Sequence, residues 1–351
     1  MNKLRLYAFL SFALSIVVVS SYGQVSNLSI SDEYEKYRDS LKNTDYPWTL
    51  PIMGAKVREL GFDIPYPVGA MFTYGHSVQQ LTIDDLAVSF DPNNLIDVSS
   101  FARLQSMQAN VDAYQARVDF WLLPFLNIFG VGGRIRAVSN VHLGLPIDLR
   151  FNVTTEGTNA GWGAVVAGGV GPMVMTGNFV MNWTWTGNVN GPSSTTLFDG
   201  RVGYMFRFPR KPDKNLVVLV GASYLGLNRV SEGAADIDKI LGITPEGRKE
   251  AAEQLDDWYN DLTDPAKELF GGIYDGFSGW LKNDESSKLY YSFSKRLYYP
   301  ISMTVGANYQ INHRFMLNGI YTFLGSREQI TLSVNYRFGF RGKNFLRGLT
   351  L

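Results

Sequence analysis

The chain has 351 residues, with 32 Lys and Arg against 32 Asp and Glu, 14% aromatics, 35 Gly and no Cys. That length allows one large domain or two ordinary ones, and a balanced charge gives nucleic acid no electrostatic footing as a partner. A mean hydropathy of −0.07 argues against a bundle of membrane helices, while many glycines and aromatics with only 18% charged residues suit a β-rich chain.

The chain opens "MNKLRLYAFLSFALSIVVVSSYGQ", a basic start (Lys3, Arg5), an apolar run from Leu6 to Val19, then Ser21-Tyr22-Gly23. This predicts a signal peptide over 1–23, cleaved before Gln24. Its removal leaves 30 basic residues against 32 acidic ones, a net charge of about −2. No Cys follows, so no lipoprotein anchor is available, and an exported chain without disulfides must find its stability elsewhere. After Val19 no apolar run approaches the ~20 residues of a membrane helix. Entry into a membrane would have to be by strands.

Residues 24–65 form an N-terminal segment for the periplasm or the lumen. "SDEYEKYRDSLKN" reads as a short polar helix with Ser31 as N-cap. An irregular proline-containing lead-in follows, with one helical turn around Ala55–Leu60.

From Pro67 onward the dominant period is 2. "VHLGLPIDLRFNV" alternates from Val141 to Val153, with Leu149 and Phe151 on one face and Asp148 and Arg150 on the other. "NFVMNWTWT" sets Phe179, Met181, Trp183 and Trp185 against Asn and Thr, and "TLFDGRVGYMFRF" sets Phe198, Val202, Tyr204, Phe206 and Phe208 against Asp199, Arg201 and Arg207. The last such run, "ITLSVNYRFGF", alternates from Ile330 to Phe340. Reading back from it gives about twelve strands: 66–80, 82–91, 108–123, 126–138, 141–154, 161–170, 175–187, 196–208, 216–226, 300–311, 314–323 and 328–340. Connections at Gly171-Pro172, "PRKPDK" and Asn312-His313 are short and fall on one side; "TTEGTNAG", "VNGPSST" and 227–290 fall on the other, where Gly325-Ser326 is the one short turn. Within 227–290, "ITPEGRKEAAEQLDDWYNDL" and "DPAKELFGGIYDGFSGWLKN" read as two amphipathic helices.

Bulky apolar side chains opposite Arg, Asp and Asn are inside out for a soluble barrel, and fit lipid outside with a polar lumen inside. The expected fold is all-β: an antiparallel transmembrane β-barrel over 66–340 carrying one long helical extracellular loop insertion at 227–290. The signal peptide, alternating strands and aromatic final strand resemble a Gram-negative outer-membrane β-barrel, and the cleavage site and Cys-free chain look compatible with Bacteroidota members. The resemblance is one of pattern and matches no characterised barrel family. It implies outer-membrane lipids and the barrel-assembly machinery as partners, the latter reading an aromatic last strand that ends in Phe. Here a tail, 341–351, follows Phe340.

The candidate lumen and selectivity residues are Arg117, Asp119, Arg134, Arg136, Asp148, Arg150, Asp199, Arg201 and Arg207, all expected to point inward. They would either favour anions in a narrow lumen or brace it as an Arg–Asp lattice. A lipid hydrolase would need a Ser and a His at the outer rim; His76 precedes Ser77, but neighbours on a strand point to opposite faces. The glycine runs are not nucleotide loops, and no cofactor or metal is implied. The expected function is passive, porin-like passage or binding of small solutes in the outer membrane, without catalysis. The alternatives are a surface-interaction barrel acting through 227–290, and the rim hydrolase.

Overall fold

The structure is a computed structural model that describes residues 32–91, 93–97, 99, 104–143, 149–187, 191–227, 230–236, 245–283 and 288–339. The expected signal peptide, Asp148, Phe340 and the C-terminal tail lie outside these residues. Two helices, α1 (Asp32–Lys42) and α2 (Gly54–Glu59), precede thirteen strands: β1 (Val68–Ser89), β2 (Ile96–Asp97), β3 (Leu104–Leu123), β4 (Leu126–Leu143), β5 (Leu149–Val170), β6 (Met173–Thr186), β7 (Ser193–Phe208), β8 (Lys211–Leu227), β9 (Val230–Asp236), β10 (Lys288–Leu297), β11 (Ile301–Gln310), β12 (Phe315–Phe323) and β13 (Arg327–Phe338). Helices α3 (Pro245–Asn260) and α4 (Asp264–Asn283) lie between β9 and β10.

Ten strands close a barrel in the order β13-β12-β11-β8-β7-β6-β5-β4-β3-β1, with β1 pairing back onto β13; β2, β9 and β10 stand outside the ring. The expectation of twelve came from cutting two strands too finely. The predicted 66–80 and 82–91 are one strand, bulged between Asp84 and Ala87. The predicted 141–154 is not a strand of its own but the end of β4 and the start of β5, which pair up to Leu143–Leu149.

Paired residues followed around the wall from Ala167 in β5, through Arg201, Thr304 and Ser77, return to β5 at Thr155, a stagger of twelve residues. Ten strands with that stagger tilt by about 40° and have a backbone radius of roughly 10 Å, which leaves room for side chains and little else.

One end of the barrel, the turn end, carries tight connections at residues 124–125, 171–172, 209–210 and 311–314. At the last of these, the Asn312 side-chain oxygen accepts the backbone N–H groups of Arg314 and Phe315 at 2.8 Å, a local turn that Asn favours. Among the described residues, the opposite end, the loop end, has a tight hairpin where Leu324 and Gly325 both have positive φ (58° and 77°). That is the backbone twist a short hairpin prefers, and a Cβ on Gly325 would lie 2.2 Å from the Ile301 carbonyl oxygen.

The strands differ greatly in length. β11, β12 and β13 have 10, 9 and 12 residues, close to the ~9–11 that a tilted strand needs to cross a bilayer. β1, β3, β4 and β5 have 22, 20, 18 and 22, so this side of the wall rises well past the short side. β10 pairs with the upper part of β1, from Leu81 to Ser89, and β9 pairs with β10. The hairpin thus continues the wall above the short strands.

Side-chain direction follows a simple rule in the lower barrel. Val118 is 60% exposed, Phe72 56% and Leu332 54%, while on the opposite face Asp119 is 0% and Asn127 1% exposed. The exposed large apolar side chains face out and the charged ones face in, as alternation led us to expect, although Trp121, Phe129, Val174, Met205, Val217 and Leu219 are also inward and buried. In the tall strands the polarity then inverts. Along β3 the outward residues change from Phe120, Val118 and Tyr114 to Asp112, Asn110 and Gln108, while the inward ones become Ala113, Val111, Ala109 and Met107. β4 changes likewise, with Arg134 and Arg136 outward and Ile135 and Ala137 inward. An outer surface that turns polar and an inner surface that turns apolar mark where lipid ends and water begins.

Helix α4 lies on the inward side of this extension. Phe270 and Ile273 pack on Leu86, Val88 and Ile96, and Val88 pairs with Ile96 and with Tyr291, on the face that β10 shares with the buried Leu297. Phe277 meets Phe90 edge to face at 5.1 Å. Ala251 and Leu255 of α3 pack with Trp280 and Leu281 of α4, which ties the two helices together.

Candidate functional site: the barrel interior

Near the turn end, inward residues of β3, β4 and β13 form a buried polar layer. The Asp119 carboxylate accepts the Asn127 amide at 2.6 Å and the Arg337 guanidinium at 3.2 Å. Arg117 donates to the Asn127 oxygen at 2.7 Å, and its guanidinium lies 3.6 Å from the centroid of the Phe129 ring. Arg337 also donates to the Tyr66 carbonyl at 2.8 Å, which links the layer to the N-terminal segment. Gly69 belongs to this layer by what it lacks: a Cβ there would lie 2.7 Å from the Asp119 carboxylate.

A second layer lies on β7, β8, β11 and β13. Arg201 is ion-paired with Asp199 and reaches the Thr304 hydroxyl at 3.4 Å. Arg327 donates to the Ser223 hydroxyl at 2.6 Å. Beside these layers, Val174, Met205, Val217 and Leu219 make an apolar cluster of 5% exposure or less. Charges removed from water to this degree persist because each has a partner.

The nine expected residues therefore divide. Arg117, Asp119, Asp199 and Arg201 are inward, buried or nearly so, and form two ion pairs, Arg117 with Asp119 at 3.7 Å and Arg201 with Asp199. Arg207 is inward and half-buried. Arg134 and Arg136 are a correction: both face outward, and Arg136 forms an exposed pair with Glu156 at 3.7 Å. The expectation assumed one polarity along all of β4, whereas these two lie above the inversion, where an outward charge meets water. The expected array from Arg117 to Arg150 does not form. Asp148 is outside the described residues, and Arg150 is placed only by its backbone, opposite His142. Sequence reasoning missed Arg327 and Arg337, although the alternation of "ITLSVNYRFGF" already sets Arg337 on the polar face of the last strand. What it could not supply is that β13 closes against β1 and so brings Arg337 to Asp119.

His76 and Ser77 lie on opposite faces: His76 bonds outward to Asp112 at 2.8 Å, and Ser77 is buried inside. Among the described residues, no group of three or more His, Asp or Glu could hold a metal ion, and no helix is long and apolar enough to cross a membrane.

The N-terminal segment lies across the turn end. The Ile52 amide donates to the Leu122 carbonyl on β3 at 2.9 Å. On the other side, the Tyr37 hydroxyl donates to Asp63 at 2.8 Å, and His313 Nε2, on the β11–β12 turn, lies 2.9 Å from that hydroxyl and 3.1 Å from the carboxylate. The hydrogen bond to Asp63 raises the His313 pKa above its ordinary value; Asp213 adds to this, while burial and Arg58 oppose it. Leu41, Val57 and Phe62 are buried within the segment.

At the loop end the inward residues Leu81, Ile83, Met107, Val111 and Ile135 are half-buried, as are Thr73, Gln115, Thr331 and Ser333 lower in the barrel; what changes with height is that the loop-end residues are apolar. Lys295 projects among them, directly opposite Ile83, and burial lowers its pKa.

No protein-family model and no curated protein matches this chain. Solved structures similar to it include the transport unit of the autotransporter AIDA-I from Escherichia coli (9% identity, 89% of this chain and 100% of that one, TM-score 0.32). The outer membrane protein OprG from Pseudomonas aeruginosa is 8% identical over 79% and 100% of the two chains, with a TM-score of 0.34. The toluene transporter TbuX from Ralstonia pickettii is 9% identical over 86% and 94%, with a TM-score of 0.28. Superpositions this loose assign neither a family nor a function.

Proposed function

We propose that this chain is an outer-membrane barrel that takes up a small solute at its loop end and holds its transmembrane interior closed at rest. The turn end would face the periplasm and the tall wall the outside, following the rule of short periplasmic turns and long outer loops. One observation carries the reading: buried ion-paired groups, Asp119 with Arg337 and Asp199 with Arg201, cross the lipid-facing section, while the half-buried inward wall above them is largely apolar. The Arg side chains act as a brace rather than as a selectivity filter, because a guanidinium held by a carboxylate and largely shielded from solvent presents little net field to a passing ion. Passive passage then requires the N-terminal segment and at least one polar layer to move.

Planar-bilayer recording tests this. The intact chain should show no steady conductance, and removal of residues 32–63 together with Asp119→Ala should produce channel openings. A large steady conductance from the intact chain would overturn the closed state. If the doubly altered chain stays silent and no solute binds, the sealed interior instead belongs to a surface-interaction barrel that displays α3 and α4.

A further inference from the structure

We propose that the loop-end chamber takes a small amphiphile, an apolar body bearing one carboxylate, with Lys295 as the group that recognises the acid. This rests on the reading of the chamber as a solute site, and adds the chemical class of the solute. The walls give the apolar half. Above the polarity inversion most inward side chains of β1, β3, β4 and β10 are aliphatic or aromatic, among them Leu81, Met107, Val111, Ile135 and Phe293, with Gln79, Ser139 and Lys295 as polar exceptions. Part of this surface is already covered: Leu86, Val88 and Ile96 are roofed by α4. The rest retains accessible area although it faces inward, so it is a surface that an apolar guest can cover.

Lys295 gives the polar half. It shares the inward face of β10 with Leu297, which is 4% exposed, and stands opposite Ile83. Arg296, the next residue, faces outward and is paired with Asp84 at 2.6 Å, as an extension in water would arrange a charge. Lys295 has no such partner among the described residues. An ammonium in apolar surroundings is costly unless an anion meets it, and a charge-assisted hydrogen bond to a carboxylate is the stabilising answer. A phosphate or sulfate without an apolar tail would leave the aliphatic wall uncovered, and a neutral hydrocarbon would leave the ammonium unpaired. Only a molecule with both parts satisfies both.

Isothermal titration of the full chain in lipid nanodiscs, with empty nanodiscs subtracted, tests the class using octanoate and 1-octanol. The expected result is octanoate binding at least about tenfold more tightly than 1-octanol, the difference one charged hydrogen bond supplies, and loss of that preference in Lys295→Met. Val111→Trp, which fills the chamber, should weaken both ligands. Equal binding of the two by the unaltered chain would overturn the carboxylate class and leave the chamber as a solute site. Binding of neither would overturn the chamber itself, and this comparison needs no substituted protein to fold.

Discussion

The short wall of β11, β12 and β13 and the tall wall of β1, β3, β4 and β5 obey opposite rules on one continuous sheet. The short wall has a single polarity from end to end: Leu332 and Val334 face lipid, while Thr304, Thr322 and Asn335 are buried inside. The tall wall has two. Below, it matches the short wall; above, it behaves as a sheet of a water-soluble protein, with Asn110 and Arg136 outside and Val111 and Ile135 inside. The solvent at each height, and not the strand itself, decides which face is apolar. A strand that leaves the bilayer must exchange its faces, and the exchange creates an apolar interior that something has to cover, in part α4.

Breaking the lower brace should have the largest effect. Asp119→Ala leaves Arg337 and Arg117 buried without their carboxylate, and should cost about 3–5 kcal/mol in urea-titrated folding into lipid vesicles. Next comes a charge on the lipid face: Val334→Arg, in the middle of the short wall, should cost about 2–4 kcal/mol in the same assay. The matching change on the tall wall sharpens the comparison. Asn110→Arg, also outward but above the inversion, should stay within about 0.5 kcal/mol; a cost equal to that of Val334→Arg would mean that lipid reaches this height.

A smaller effect belongs to the turn end. The raised His313 pKa means that protonated His313 holds Asp63 and Tyr37. That contribution is complete below the ordinary histidine value of 6.5 and fades as pH rises through the raised one. Hydrogen exchange at the backbone of residues 32–65 should therefore speed up, beyond the intrinsic pH effect, as pH rises past the ordinary histidine value of 6.5. His313→Gln should remove this dependence; an unchanged profile would show that the latch does not hold the segment. Small as well is the effect of His76→Ala. Its contact with Asp112 is a partly exposed surface pair, so the loss should be under about 1 kcal/mol.

Much of this was legible in the residues. Alternation of bulky apolar and polar side chains, as in "NFVMNWTWT", placed Trp183 outward and Asn182 inward with no knowledge of any partner strand. Short turns at Gly171-Pro172 and Asn312-His313, and helices after Pro245 and Asp264, were likewise local. Two of the errors share one cause, apart from the split of the bulged β1 and the strand β9 inside the expected helical loop. Reading a single polarity along "GVGGRIR" put Arg134 and Arg136 inside, and reading "VHLGLPIDLRFNV" as one lipid-facing strand produced a twelfth element. Both stretches lie where the environment of the sheet changes, and alternation of period 2 looks the same on either side of such a change.

The sequence by itself determined that these segments are strands and that each has a polar and an apolar face, because side-chain direction along a strand is fixed by backbone geometry alone. Only the tertiary structure decided which face is the interior at each height, which carboxylate meets which guanidinium, and that the ring closes with ten strands and a stagger of twelve. Those outcomes depend on ring closure between β1 and β13, and closure joins residues more than two hundred positions apart.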